Sequence, residues 1–255
     1  MTYILVTNDD GVDAPGLFAL KQALDKVTEV RVIAPDRNWS AAGHAKTLHR
    51  PLRVTLTKLR DGSDAYKSDG APSDCVAVAL LGYFSERPAL VVSGINPNAN
   101  VGKDIIYSGT VAAAMEAALD GVPAIAVSLE MNGNSDNYAP AAEFTARLVQ
   151  RVLLKGMPPD TLLNVNVPDV PQTEIRGVTV TRAGKRIYYD ELIKREDPYG
   201  RPYYWIGGEK PGGDKELQGT DIWALANNFI SITPVHIDLT NHALIEELQT
   251  WVKDL

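Results

Sequence analysis

Five short apolar runs, Tyr3–Val6, Val30–Ala34, Ala89–Val92, Ala124–Val127 and Leu162–Val167, are separated by stretches of helical length. Runs this short and predominantly apolar suit strands covered on both faces, and strands that alternate with helices build a parallel sheet. Helices are predicted at about 16–27, 73–83, 109–120 and 139–154; in the first, Leu17, Leu20, Leu24 and Val27 share one face and Pro15 suits the entry. The pattern predicts an α/β fold: an open, doubly wound, mostly parallel sheet spanning 1–176. At roughly 150 residues per domain, a chain of 255 has room for that unit and a smaller C-terminal part, 177–255.

That second part reads differently. Residues 184–219 are rich in charge, tyrosine and glycine, and they pattern as two strands joined by a turn. Such a hairpin is either solvated or an arm that buries its aromatics against another subunit. Ordinary strand and helix patterns resume at Trp223–Thr233 and Ala243–Val252, the latter a terminal helix.

Charge and motifs narrow the function. Lys and Arg total 25 against 32 Asp and Glu, a net charge of −7 without a basic cluster, which argues against duplex nucleic acid as a partner. No apolar run reaches the ~18 residues of a membrane span. The start lacks the basic, then apolar, pattern of a secretory signal, and the lone Cys75 offers no internal disulfide, so a reducing, cytoplasmic setting is expected. No dinucleotide fingerprint, P-loop, nucleophile elbow or zinc-protease helix is present. The histidines, His44, His49, His236 and His242, lack zinc spacing.

What remains is a set of loops at strand ends. The first strand runs into Thr7-Asn8-Asp9-Asp10-Gly11, placing two carboxylates where open α/β sheets bind ligands. Adjacent carboxylates repel unless one is protonated or a hard cation lies between them, although Asn-Asp-Asp-Gly also makes a plain turn. Asp36 to Ser40 follows the second strand and ends in a hydroxyl; it equally suits a turn with Ser40 as a cap. A later strand opens into Asn96-Pro97-Asn98-Ala99-Asn100, a source of neutral oxygens. Tyr107-Ser108-Gly109-Thr110 precedes a helix whose start favours an anion, with Ser108 or Thr110 as the alternative cap. On one rim, these loops would make a metal-assisted phosphate site.

The blocks Val6–Gly11 with Ala14–Gly16, Ala34–Asn38 with Ser40, Gly70–Val76, Val92–Asn96, Asn100–Gly102, Tyr107–Glu116 and Ser231–Pro234 resemble, in order and spacing, the SurE survival-protein family of metal-dependent 5′-nucleotidases. The resemblance covers almost the whole chain. It implies a Rossmann-like α/β domain with an extended C-terminal arm, which the 184–219 stretch fits, and a homodimer or homotetramer. It also implies hydrolysis of nucleoside 5′-monophosphates, leaving open whether 3′-nucleotides and short polyphosphate are cleaved too. By the same resemblance Asp9, Asp10, Ser40 and Asn96 are ligands of one divalent ion per subunit, Mg²⁺ or Mn²⁺. Asn100, Ser108, Gly109 and Thr110 match the phosphate side.

Three positions depart from the family pattern: Asn98 stands for glycine, Ala41-Ala42 for a serine- or glycine-rich run, and Ala71 for threonine. Two other functions compete. An aspartyl-phosphate mechanism would make Asp9 or Asp10 a nucleophile, but the D-x-D spacing of that class is missing. A non-catalytic nucleotide sensor would use the same rim only for binding. No general acid for the leaving oxygen is identifiable in the sequence; His236, near a strand end late in the chain, is a candidate that a structural role suits better.

Overall fold

The computed structural model describes residues 2–131 and 137–254. Eleven strands are present among them: β1 (Ile4–Thr7), β2 (Val30–Pro35), β3 (Val54–Lys58), β4 (Asp64–Ser68), β5 (Leu90–Asn96), β6 (Ala124–Glu130), β7 (Thr161–Pro168), β8 (Gly177–Val180), β9 (Arg186–Glu196), β10 (Pro202–Gly213) and β11 (Phe229–His236). The helices are α1 (Pro15–Leu24), α2 (Pro72–Val78), α3 (Gly109–Leu119), α4 (Ala139–Lys155), α5 (Asp221–Ala226) and α6 (His242–Trp251). None of the described helices is long and apolar enough to cross a membrane.

Nine strands form one sheet in the order β3-β4-β2-β1-β5-β6-β7-β11-β8. Strands β4, β2, β1, β5, β6 and β7 run parallel, while β3 and the β11–β8 pair run against them. The predicted α/β architecture is therefore present, and β1, with all four residues buried, lies near its middle. Alternation along the strands sends side chains to opposite faces. Ile4, Val6, Val92, Ile125 and Val165 pack with α1 and α4, whereas Tyr3, Leu5, Val91, Ala124 and Ala126 pack with α2 and α3.

The chain goes from β1 outward to β2 and later returns to place β5 on the other side of β1. That reversal opens a crevice between the carboxyl ends of β1 and β5, the position where doubly wound sheets bind ligands.

Two elements escape the hydrophobic pattern. The β3–β4 hairpin is short and largely polar, with Thr55, Leu56 and Lys58 exposed, so its sequence carries no buried-strand signal. Strands β8 and β11 continue the main sheet across residue 176, through the pairing of β11 with β7. The predicted 184–219 hairpin is present as β9 and β10, a separate two-stranded sheet. Its turn is closed by Asp197, whose Oδ1 accepts from the amides of Tyr199 and Arg201 at 2.9 and 3.0 Å.

At the hairpin's base, the buried Asp221 carboxylate accepts from the amides of Gly102 at 2.7 Å and Gly184 at 2.8 Å. Asp104, just beyond Gly102, pairs with Arg186 at 3.2 Å and accepts the Tyr188 hydroxyl.

Candidate active site

Asn8 ends β1 by turning its side chain back on the chain: Oδ1 accepts from the Gly11 amide at 3.1 Å and Nδ2 donates to the Gly11 carbonyl at 2.9 Å. Gly11 sits at φ +104°, a conformation that favours glycine, so this turn and no side chain directs the backbone away. Asp9 and Asp10 are left at the crevice, Asp9 buried and Asp10 half-buried.

The loop after β2 is strapped across them. The Trp39 amide donates to the Asp9 carbonyl at 2.7 Å, and Asn38 donates Nδ2 to Asp10 Oδ1 at 3.3 Å. Asn38 Oδ1 also accepts from the Ser40 amide at 2.6 Å, so one asparagine joins Ser40 to Asp10. In the sequence, the signal for Asn38 is its place between Asp36 and Ser40.

Helix α3 meets the pair from the other side. Thr110 donates its hydroxyl to Asp9 Oδ1 at 2.5 Å. A Cβ on Gly109 would lie 2.8 Å from Asp9 Cβ, so only glycine permits this approach. Ser108 is the N-cap, its Oγ accepting from the Val111 amide at 3.1 Å, as the plainer reading of that residue expected. The stretch beyond Ser40 is fastened to the same helix: Glu116 bonds His44 at 2.8 Å and Lys46 at 2.6 Å, and the Gly43 amide donates to the Tyr107 carbonyl.

The loop after β5 supplies Asn96 and Asn100. Asn96 spends Nδ2 on the Asn98 carbonyl at 2.5 Å, which leaves its side-chain oxygen as a free acceptor type. Asn98 has an ordinary φ, so glycine is not needed there. Asn100 is held by Asn164, Asn166 and Ser128, which carry no motif signal in the sequence.

His236 belongs elsewhere. Because β11 runs antiparallel to β7, His236 pairs with Thr161 at the start of that strand, on the rim opposite the carboxylates. From that rim it is not placed to give a proton to a leaving group at the carboxylates. A hollow of about 470 Å³ beside α1 and α4, lined by Ala19, Lys26, Arg60 and Glu143, also contains none of these residues.

The other two departures fall outside the paired carboxylates. Ala71 is the N-cap of α2 and has no oxygen to offer, so only Asp74 contributes there, accepting from the Ala71 amide at 2.9 Å. Ala41 adopts φ +59°, a left-handed conformation suited to the glycine-rich run it replaces.

Electrostatics favour a cation. Burial raises the Asp9 carboxyl above its ordinary value, against the Thr110 hydroxyl and the amides of Thr110 and Gly109, which favour its charge. Asp10 is pushed up to about 7 by burial and then by the charge on Asp9. Two carboxylates in this state, with Ser40 and Asn96 on the flanking loops, offer the oxygen types that a hard divalent ion would take. No group of three His, Cys, Asp or Glu with metal-binding placement occurs among the described residues.

The family model of survival protein SurE matches residues 4–190. The chain belongs to the SurE family. It is 52% identical over 250 residues to the 5′-nucleotidase SurE of Chloroflexus aggregans, covering 98% of each chain. It is also 52% identical over 248 residues to the 5′-nucleotidase SurE of Geobacter sulfurreducens, covering 97% of this chain and 93% of that one. The crystal structure of the SurE protein from Aquifex aeolicus superposes with a TM-score of 0.84 at 41% identity, covering 98% of this chain and 99% of that one. The SurE relationship thus spans the sheet, the carboxylate rim and the hairpin.

Proposed function

We propose that this SurE-family chain is a metal-dependent phosphomonoesterase that hydrolyses nucleoside 5′-monophosphates to nucleoside and phosphate. The relatives named 5′-nucleotidase, about half identical over nearly full length, support the substrate class. The observation that carries the chemistry is the Asp9–Asp10 pair, two charge-frustrated carboxylates at the switch point of the sheet.

Asp9, Asp10, Ser40 and Asn96 would hold one Mg²⁺ or Mn²⁺ ion. When bound, the ion supplies Lewis-acid polarisation of a phosphoryl oxygen and lowers the pKa of the attacking water. The protein's own part is positional. Thr110 and Asn38 orient the two carboxylates, the Gly109 and Thr110 amides favour the charged form of Asp9, and the dipole of α3 favours an anionic phosphoryl group near its start. Asn100 stands on the phosphate side, fixed from behind by the sheet.

Phosphate release from a panel of nucleoside 5′-monophosphates, with EDTA and after readdition of Mg²⁺ or Mn²⁺, tests this. Release that stops with EDTA and returns with metal is expected; no metal-dependent release from any of them would favour the nucleotide sensor. Adding 3′-nucleotides and tripolyphosphate to the panel decides the breadth of the site. An oligomer through the hairpin is part of the same proposal, supported by Leu192, Trp205 and Ile206, which are 69%, 63% and 81% exposed. Deleting 186–206 should lower the mass seen by light scattering, and an unchanged mass rejects that role.

A further inference from the structure

Asn100 closes the loop that leaves β5, and side chains of β6 and β7 hold it on three sides. Its amide donates to Asn166 Oδ1 at 2.8 Å, and its carbonyl accepts from Asn166 Nδ2 at 3.0 Å. Asn164 Nδ2 donates to the same carbonyl at 2.8 Å. The side chain of Asn100 is fixed as well, Nδ2 donating to Ser128 Oγ at 2.8 Å.

Asn166 thereby treats one residue as a neighbouring strand would, binding both its backbone groups. Because each end of the amide has a different partner, the contact also fixes which way the Asn100 peptide faces. Asn164, Asn166 and Ser128 are all fully buried, and Asn164 Oδ1 has no hydrogen-bond partner. Buried amides cost about 1–3 kcal/mol for each polar group left unpaired, so leucine or valine would serve a strand interior better if packing were the only demand. The clamp lies beside the candidate metal ligands: Asn96, Ser128 and Asn166 occupy one register row across β5, β6 and β7.

We propose that Asn166, Asn164 and Ser128 are positioning residues for the hydrolysis, holding the backbone and side chain of Asn100 against the phosphate side of the site. The inference rests on the phosphomonoesterase reading above. Displacing a contact group by about 1 Å can cost 100-fold in rate, so a clamp on Asn100 has a measurable kinetic signature.

The test measures kcat and KM at saturating Mn²⁺ for Asn166→Ala, Asn164→Ala and Ser128→Ala, each alone and combined with Asn100→Ala, alongside thermal melts. Thr233→Val, which removes a buried hydroxyl bonded to Thr181 on the same side of the sheet, is the control. Expected is a fall in kcat of at least 10-fold for Asn166→Ala and a smaller fall for Ser128→Ala, with KM changed less and Thr233→Val unaffected; losses of this size match a displaced contact group. Both falls should shrink to within about twofold in the Asn100→Ala background, because residues acting through one another are non-additive. Full additivity, or kcat within twofold of wild type in the single variants, overturns the clamp. Should Asn166→Ala not fold, Ser128→Ala, which deletes one hydroxyl, decides alone. Wild-type protein without metal-dependent hydrolysis would instead sink the functional reading, a result distinct from a failed clamp.

Discussion

Gly109 stands so close to Asp9 that the methyl group of an alanine there would fall 2.8 Å from Asp9 Cβ and 3.0 Å from its Oδ2. Alanine normally strengthens a helix by about 0.5–1 kcal/mol relative to glycine. Here the gain meets a clash with a buried carboxylate. Gly109→Ala is therefore expected to lower kcat about 100-fold, as for a displaced reacting group, while the melting temperature changes little. Steady-state kinetics with a thermal melt checks it, and near-normal kcat would show that Asp9 can move without harm.

Thr110 supplies the hydroxyl that supports Asp9. Thr110→Val keeps the shape and removes the donor. Loss of such a supporting bond costs about 10- to 100-fold in metal affinity or activity, so a rise in the Mn²⁺ concentration for half-maximal rate is expected. Thr110→Ser should restore most of it. A metal titration of the three proteins decides, and equal half-saturation for all three would remove Thr110 from the site.

Glu116 gives a pH prediction. Its bond to His44 and its pairing with Lys46 hold the carboxyl below the ordinary glutamate value of 4.5, against the opposing effect of burial. A depressed folded value means stability present above 4.5 and lost as the pH falls through the folded value. Glu116→Gln lacks that contribution. Urea unfolding should show wild type more stable than E116Q near neutral pH, with the gap closing as the pH drops below about 4.5. A gap that widens in acid contradicts the assignment.

Ala41 holds a left-handed conformation at φ +59°, exposed on the loop after Ser40. That conformation costs a residue with a Cβ about 1–2 kcal/mol, and glycine avoids it at some cost in chain entropy. Ala41→Gly should raise stability by about 0.5–1 kcal/mol in urea unfolding. A loss of stability would mean that the loop relaxes around the alanine.

The α/β order was legible because buried parallel strands are written as short, mostly apolar runs between helical stretches, and the carboxylates because they follow the first of those runs directly. The β3–β4 hairpin was not, since Thr55 and Lys58 look like loop. Asn164 and Asn166 alternate with Leu163, Val165 and Val167 and read as part of a strand, while their shared partner Asn100 is more than sixty residues away in sequence. The rim on which His236 lies depends on the direction of β11, which an apolar pattern does not encode. Thr110 suited a helix cap; its bond to Asp9, across the crevice, exists only once β1 and α3 have met.

A single carboxylate, Asp221, gathers the amides of Gly102 and Gly184. Gly102 leads through a short turn to α3, and Gly184 leads into β9. Hairpin and carboxylate rim are therefore moored at one point, so a carboxylate outside both sets where each begins.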